Sequence, residues 1–448
     1  MISKLRSPVF VQVEITSDCN NRCLHCYNFW NYVPDIQKRR SLSMAELRLV
    51  SRILGENDVF YTTITGGEPF LEKEKFYRFV EFLQDQNIRI MVNSNATLLN
   101  EEDGEKLANS HIEIFLVSLN SLNPQKHNFI ANNDSAFEKT IQGIRILQRH
   151  KINTAVNMVA TKLNYEDIYL TGKWLYENFG IENFSATPIC PSSEEHRQLE
   201  LNSKETFKSL EQLISLRKEL NIRVDILEVL PTCLFTDYDG TNIREIVKIF
   251  SKRMCTAGNT TITIGSEGDV RVCSFARESY GSILRDDFKK IWSRMKKWRD
   301  DSLLPLECRD CTIVDSCGGG CKLDFRTKSE GCKLASISKT TIREKQDIFF
   351  SEIADISMDA EYSLSGNIYF REEKKDLFTL VVSPMYFIIT NKEGLSLVKY
   401  LTGLDLFTPS SIIKSLGFNY DNGKKFFAEL LNKGFLKSLK GARGWSDK

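Results

Sequence analysis

The sequence has no apolar run long enough to span a bilayer, which excludes a transmembrane helix of the usual kind. It has no excess of either charge: 60 Lys and Arg stand against 59 Asp and Glu, a net charge of +1. Such a balance provides neither the basic field that binds nucleic acid nor one that binds an anionic membrane. Residues 1–8 lack the apolar segment of a signal peptide, so the expected compartment is the cytoplasm. Histidine is scarce, with five in the chain. His111, His127, His150 and His196 show no metal-ligand spacing and read as surface or structural residues. There is no internal repeat, no low-complexity tract, no nucleophile elbow and no phosphate-binding P-loop.

Cysteine is what the chain does have. Twelve cysteines in a cytosolic protein point to metal or redox chemistry rather than disulfides. Three lie in one loop, Asp18-Cys19-Asn20-Asn21-Arg22-Cys23-Leu24-His25-Cys26-Tyr27. A [4Fe–4S] cluster is usually held by four thiolates, and a loop this tight supplies three. One iron is thereby left open for a chelating ligand. The competing reading is a zinc knuckle, but zinc asks for four ligands in paired spacing, and only His25 lies nearby.

The length allows two or three domains. From residue 9 to about residue 220, β-rich runs alternate with helical patterns. Strands are predicted over 9–15, 62–65, 89–93, 113–119, 154–160 and 183–187. Helices are predicted over 43–54, 73–85, 101–108, 136–150, 165–178 and 204–220. Ser43, with Glu46 three residues on, reads as a capping box. Six such units imply a parallel sheet flanked by helices, with its site at the carboxyl ends of the strands. The three-cysteine loop follows the first strand and so sits at that end.

By its spacing and position this loop resembles that of the radical S-adenosylmethionine (radical SAM) enzymes, and the alternating pattern resembles their partial (β/α)6 barrel. The other strand ends fit the resemblance. Gly66-Gly67-Glu68-Pro69 follows the second strand and is similar to the segment that binds the amino group of S-adenosylmethionine. Asn93-Ser94-Asn95 follows the third, with Ala96 where the family more often has glycine, so the backbone there is expected to differ. Ser118-Leu119-Asn120 follows the fourth, with Asn120 in place of an acidic residue. The resemblance implies that Gly66, Gly67, Glu68, Pro69, Asn93, Ser94, Asn95, Ser118 and Asn120 bind the cofactor. It also implies that Cys19, Cys23 and Cys26 carry the catalytic cluster. Ala131-Asn132 stands where the family has Arg-Gly, which leaves the cofactor carboxylate without an assigned partner.

Seven more cysteines lie between Cys255 and Cys332. Residues 260–264 and 269–273 alternate around Gly265-Ser266-Glu267-Gly268 and read as a β-hairpin. The spacing, with Gly318-Gly319-Gly320 before Cys321, resembles the cysteine-rich SPASM extension of radical SAM peptide-modifying enzymes. The competing reading is one or two zinc ribbons. The resemblance implies two auxiliary clusters, Cys308, Cys311, Cys317 and Cys332 holding one, and Cys255, Cys273 and Cys321 the other. Seven thiolates cannot close two four-ligand clusters, so either Cys233 is the eighth ligand or one iron stays open, the open site being preferred. Cys190 reads as a buried core thiol rather than a ligand.

The tail has no cysteine after Cys332. Strands are predicted over 367–370, 377–382 and 386–389, then helices over 392–401, 409–416 and 422–433, with Thr408 as an N-cap. This winged-helix-like unit resembles the leader-peptide-binding domains related to the pyrroloquinoline quinone peptide chaperone. The expected organisation is α/β: a radical SAM partial barrel over 1–224, a SPASM domain over 225–345, a linker over 346–360 and a leader-binding domain over 361–448. The resemblance implies three [4Fe–4S] clusters, S-adenosylmethionine, a ribosomally made precursor peptide bound through its leader, and a flavodoxin- or ferredoxin-type electron donor. It implies no nucleic acid or membrane partner. The reaction implied is reductive cleavage of S-adenosylmethionine and hydrogen abstraction from the precursor. The alternatives are a sulfatase-maturing enzyme and a small-molecule radical SAM dehydrogenase.

Overall fold

The structure, a computed structural model, describes residues 5–28, 40–190, 194–231, 234, 243–250, 254–305, 308–309, 311, 314–323, 356–383 and 386–438. The chain divides into two units, one within Ser7–Lys345 and the other formed by Lys4–Arg6 with Gln346–Lys448. Among the described residues no helix is long and apolar enough to cross a membrane.

The first unit alternates strand and helix. Its elements are β1 (Phe10–Glu14), α1 (Met44–Glu56), β2 (Tyr61–Thr65), α2 (Lys73–Gln84), β3 (Arg89–Ser94), α3 (Glu101–Ala108), β4 (Ile112–Ser118), α4 (Pro124–Ala131), α5 (Ala136–Arg149), β5 (Thr154–Ala160), α6 (Ile168–Phe179), β6 (Asn183–Pro188), α7 (Glu194–Gln198), α8 (Ser203–Leu220) and β7 (Arg223–Asp225). The capping box of Ser43 and Glu46 starts α1. Asn100 with Asp103 and Asn202 with Glu205 start α3 and α8 in the same way. Each box satisfies amide groups that the first helical turn leaves without partners. The predicted helix over 165–178 divides into a 3₁₀ turn, Tyr165–Asp167, and α6, which ends at Gly180 in the left-handed region. Three of these elements were not anticipated: α4, capped by Asn123, the short helix α7 and the three-residue strand β7.

Strands β1 to β7 run parallel in sequential order. They form an open sheet of the partial-barrel type expected. β2, buried along its whole length, shows why its sequence lacks alternation: a parallel strand covered on both faces has no solvent side. The hairpin predicted from residues 260–273 is present as β8 (Thr261–Ile264) and β9 (Val270–Arg271), turned through Gly268 at φ 79°. It does not stand apart. β8 adds to the free edge of β1 in parallel register, Phe10 opposite Thr261 and Val13 opposite Ile264. β9 pairs antiparallel to β8 and completes nine strands. The sheet thus continues from residues near the start of the chain into residues some 250 positions later.

The second unit has its own apolar core, with Leu380, Leu401, Phe427 and Phe435 fully buried. Its antiparallel sheet is β11 (Tyr369–Lys374), β12 (Leu377–Ser383) and β13 (Tyr386–Thr390). Helices Lys392–Leu401, Pro409–Leu416 and Tyr420–Asn432 follow. Thr408 accepts from the Ser411 amide and caps the middle helix, with Pro409 in the first helical position where its missing N–H costs nothing. β10 (Tyr362–Leu364) and β14 (Leu436–Ser438) close the unit as an antiparallel pair.

Candidate functional site

The three-cysteine loop leaves the end of β1 and is fastened at once to the turn after β2. The Gly67 amide donates to the Thr16 carbonyl at 2.8 Å and the Glu68 amide to the Asp18 carbonyl at 2.7 Å. This contact needs glycine. A Cβ on Gly66 would lie 2.3 Å from the Thr16 carbonyl oxygen, and one on Gly67 2.0 Å from that of Asp18. Asn28, just past the loop, donates to the Gly66 carbonyl at 2.9 Å. Both ends of the loop therefore rest on one glycine turn, and Pro69 begins the 3₁₀ turn that leads from it into α2.

The end of β3 reaches the same place. The Glu68 carboxylate accepts from the Phe70 amide at 3.1 Å, the Ser94 hydroxyl at 2.8 Å and the Asn95 amide at 2.8 Å. It is 1% exposed, and burial pushes its pKa up to about 7 against the pull of those three donors. Asn95 in turn places its Nδ2 2.9 Å from Asn20 Oδ1 and 4.0 Å from Cys19 Sγ. Thr97 receives a hydrogen bond from Asn20 Nδ2 at 2.7 Å and donates to Asn95 Oδ1 at 2.6 Å. Ala96 sits at φ 58°, in the left-handed region. That is a conformation glycine adopts at no steric cost, and here the alanine methyl group tolerates it.

The other side of the loop leans on the end of α4. Arg22 N donates to the Ala131 carbonyl at 3.1 Å and Leu24 N to the Ile130 carbonyl at 2.9 Å. Asn133 Nδ2 donates to Asn21 Oδ1 at 2.7 Å, and Asn132 ends α4 at φ 49°. Ile130 and Ala131 thus support the cysteine loop through their backbone carbonyls, a role that needs no arginine. Asn93 is half-buried on β3 and Ser118 is exposed at the end of β4. Asn120 is buried. Its amide donates to His127 Nδ1 at 3.1 Å and its carbonyl accepts from Asn164 at 2.8 Å, while its Oδ1 has no hydrogen-bond partner among the described residues. His127 and His196 are buried and close enough to His25 to oppose its protonation. Burial first, then those two rings, lowers the His25 pKa to about 3, so it stays a neutral imidazole inside the loop. Sequence spacing gave no sign of this three-histidine grouping, because its members lie on unrelated elements.

Cys19, Cys23 and Cys26 face one another. Burial raises the Cys23 thiol well above its ordinary range, and Cys26 and Cys19 raise it further. A second set forms in the middle of the chain. The Cys273 thiol is pushed up by burial and then by Cys255 and Cys321, and Cys255 to about 11 by burial and Cys321. Gly318, Gly319 and Gly320, at φ 67°, 74° and 79°, make the left-handed run that delivers Cys321. A Cβ on Gly319 would sit 3.5 Å from Cys308 Sγ. Cys317 is buried, and the Cys311 amide donates to the Cys308 carbonyl at 3.2 Å. Cys233 and Cys332 lie outside the described residues. No described cysteine forms a disulfide.

The two sets are tied together through β1 and β9. Arg271, 1% exposed, pairs with the buried Glu14 carboxylate and, at 3.0 Å, with Asp269. It also donates to the carbonyls of Ser274 at 3.3 Å and Ala276 at 3.4 Å, just past Cys273. Tyr27, next to Cys26, meets Phe275 with ring centroids 5.1 Å apart.

These donor sets suit iron–sulfur clusters. They are soft thiols, most of them half-buried, on a backbone made close-fitting by glycine, and thiolate sets select such centres. The unpartnered Asn120 Oδ1 and the polar strand ends beside Cys19 suit a polar cofactor at the same face.

Comparison with known proteins agrees. Residues 13–175 match the Radical SAM superfamily and residues 255–312 the iron-sulfur cluster-binding domain SPASM. The chain is 24% identical over 334 residues to the AdoMet-dependent heme synthase of Methanosarcina barkeri, covering 71% of this chain and 93% of that protein. It is 24% identical over 340 residues to the antilisterial bacteriocin subtilosin biosynthesis protein AlbA of Bacillus subtilis, covering 70% and 67%. Its fold is similar to that of Streptococcus suis SuiB in the crystal structure bound to precursor peptide SuiA, with TM-score 0.58 and 18% identity over 71% of this chain and 73% of that one. The chain therefore carries a radical SAM domain followed by a SPASM domain.

Proposed function

We propose that the protein is a maturase that installs a crosslink, or another backbone or side-chain change, in a ribosomally made precursor peptide. When bound, the loop cluster and S-adenosylmethionine supply a carbon radical able to take hydrogen from an unactivated C–H bond. The chain's own residues hold, orient and shield. Cys19, Cys23 and Cys26 would ligate the first cluster, with Asn95 and Asn20 fixing the loop beside Cys19. Gly66, Gly67, Glu68, Pro69, Asn93, Ser94, Asn95, Ser118 and Asn120 would seat S-adenosylmethionine, and the buried surroundings exclude water. Cys255, Cys273 and Cys321 would hold a second cluster, and Cys308, Cys311, Cys317 and Cys332 a third. A flavodoxin- or ferredoxin-type protein would deliver the electron.

The observation that carries the peptide reading is the second unit. The outer edge of β13 pairs with no strand among the described residues. On the opposite edge, Arg6 donates to the Glu372 carbonyl at 2.9 Å and its amide to Glu373 at 2.7 Å. A leader peptide would add to β13 as a fourth strand, with apolar side chains against the helix Lys392–Leu401, where Tyr400 stays 44% exposed. The similarity to a bacteriocin biosynthesis protein and to the fold of a peptide-bound enzyme supports this. The similarity to a heme synthase favours a second reading, oxidation of a small molecule. Co-expression with short reading frames neighbouring the gene decides between them. A mass change in one such product, and binding of its N-terminal segment to the full chain, is expected. Binding by none of them, with turnover of a small-molecule substrate, would overturn the peptide reading.

A further inference from the structure

Seven cysteines in the middle of the chain leave one position unfilled if two clusters are to be fully ligated. The structure brings in another thiol from elsewhere. Cys190 Sγ, a carboxylate oxygen of Glu228 and Cys321 Sγ lie within 4.8 Å of one another. Cys190 follows the carboxyl end of β6, and Glu228 follows the carboxyl end of its neighbour β7. Both residues are 6% exposed. Cys321 also faces Cys255 and Cys273. Two adjacent strand ends of the parallel sheet thus converge on Cys321, one member of the three-cysteine set.

We propose that Cys190 is the fourth ligand of the cluster built on Cys255, Cys273 and Cys321, which rests on the reading that those three hold a cluster. Iron–sulfur centres select thiolate over carboxylate, so Cys190 takes the position and Glu228 stays beside it. One Glu228 oxygen is already engaged by the Val229 amide at 2.9 Å. The assignment accounts for a thiol and an acid lying together beside Cys321 in a buried place. It replaces the expectation from sequence that this cluster keeps an open iron or takes Cys233. A fully ligated cluster has no iron to offer a substrate thiolate. It acts as an electron acceptor or store instead.

The test uses the full chain, reconstituted without oxygen, with Cys19→Ala, Cys23→Ala and Cys26→Ala combined so that the loop cluster does not contribute. Mild oxidation of this background is expected to leave its four-iron clusters intact. Adding Cys190→Ala should release one iron on the same treatment and give a stoichiometric [3Fe–4S] electron paramagnetic resonance signal. Glu228→Gln should not. Should Cys190→Ala fail to fold, Cys190→Ser keeps the side-chain volume, and one oxygen-ligated iron site is then expected in the Mössbauer spectrum. An unchanged spectrum in the Cys190 variants, or the same signal produced by Cys233→Ala or Glu228→Gln instead, would overturn the assignment alone. A background holding zinc and no sulfide would overturn the cluster reading beneath it.

Discussion

Replacing Arg271 by leucine should cost the first unit about 3–5 kcal/mol, the range for removing one partner of a buried ion pair. The structure places this substitution at the upper end of what one side chain does. Arg271 is 1% exposed and Glu14 fully buried, and Glu14 Oε1 already lacks a hydrogen-bond partner among the described residues. Without the guanidinium, Glu14 is a buried carboxyl with no counter-ion, and the carbonyls of Ser274 and Ala276 lose a donor. Burial already pushes the Glu14 pKa up to about 7 despite Arg271, so the carboxyl of the variant will protonate rather than stay charged. The loss should therefore shrink at pH 5. An unfolding entropy near 2.1 cal/mol/K per residue over roughly 340 residues gives a fall in Tm of about 4–7 °C. Differential scanning calorimetry at one heating rate reads it. The control is the double variant Glu14→Leu with Arg271→Met, which removes both charges and should recover most of the loss. If the double variant melts as low as Arg271→Leu, the two side chains are not coupled and the pairing of β1 with β9 through them is wrong.

Glu68 should give the cofactor-free chain a pH-dependent stability. Folding raises its pKa from 4.5 to about 7, so the folded chain holds a proton that the unfolded chain releases. Stability is then fully present below about pH 4.5 and declines by about 3 kcal/mol as pH rises through 7. Urea midpoints of Glu68→Gln should lose that part of the slope, and a slope equal to the native chain's would count against it. Gly67→Ala forces a methyl into the Asp18 carbonyl and displaces the cysteine loop. Formation of 5′-deoxyadenosine should fall by about 100-fold, as misplacement by an ångström does, and an unchanged rate would refute the close contact. Ala96→Gly relieves about 1–2 kcal/mol of left-handed strain while adding about 0.5–1 kcal/mol of backbone entropy and losing a buried methyl. The two effects nearly cancel, so its Tm should stay close to the native value; a large fall would mean the methyl packs rather than strains.

Local pattern was enough for most elements, because each carries its own signal. The helix over 101–108, the strand over 154–160 and the tail helices over 392–401 and 409–416 stand where period, caps and glycine put them. The missed strand β7 is too short for any period to register. α4 has little amphipathic contrast to detect, since it is buried at His127, Ile130 and Ala131 while Phe129 stays exposed. Long-range placement was not legible. Nothing in Thr261–Ile264 names β1 as its partner, and nothing in Cys190 names Cys321, because such pairings depend on how the whole sheet is ordered. At the site, the motifs located the groups but not their duties. Gly66 and Gly67 prove to be needed first for the loop's footing, and Glu68 is held by three internal donors.

The hairpin laid along β1 also bears on electron flow. Neighbouring strands stand about 4.8 Å apart, and a hydrogen-bonded ladder does not stretch. The cysteine loop grows from β1 and Cys273 from just beyond β9, with Tyr27 against Phe275 between them. Under the proposed function, the span an electron would tunnel between clusters on these two sets is thereby set when the chain folds, not when substrate arrives. Tunnelling rates fall steeply with distance, so a rigid span would give every turnover the same internal clock. On that reading, adaptation to substrates of different bulk would belong to the loops above the sheet, while the wiring beneath them stays the same.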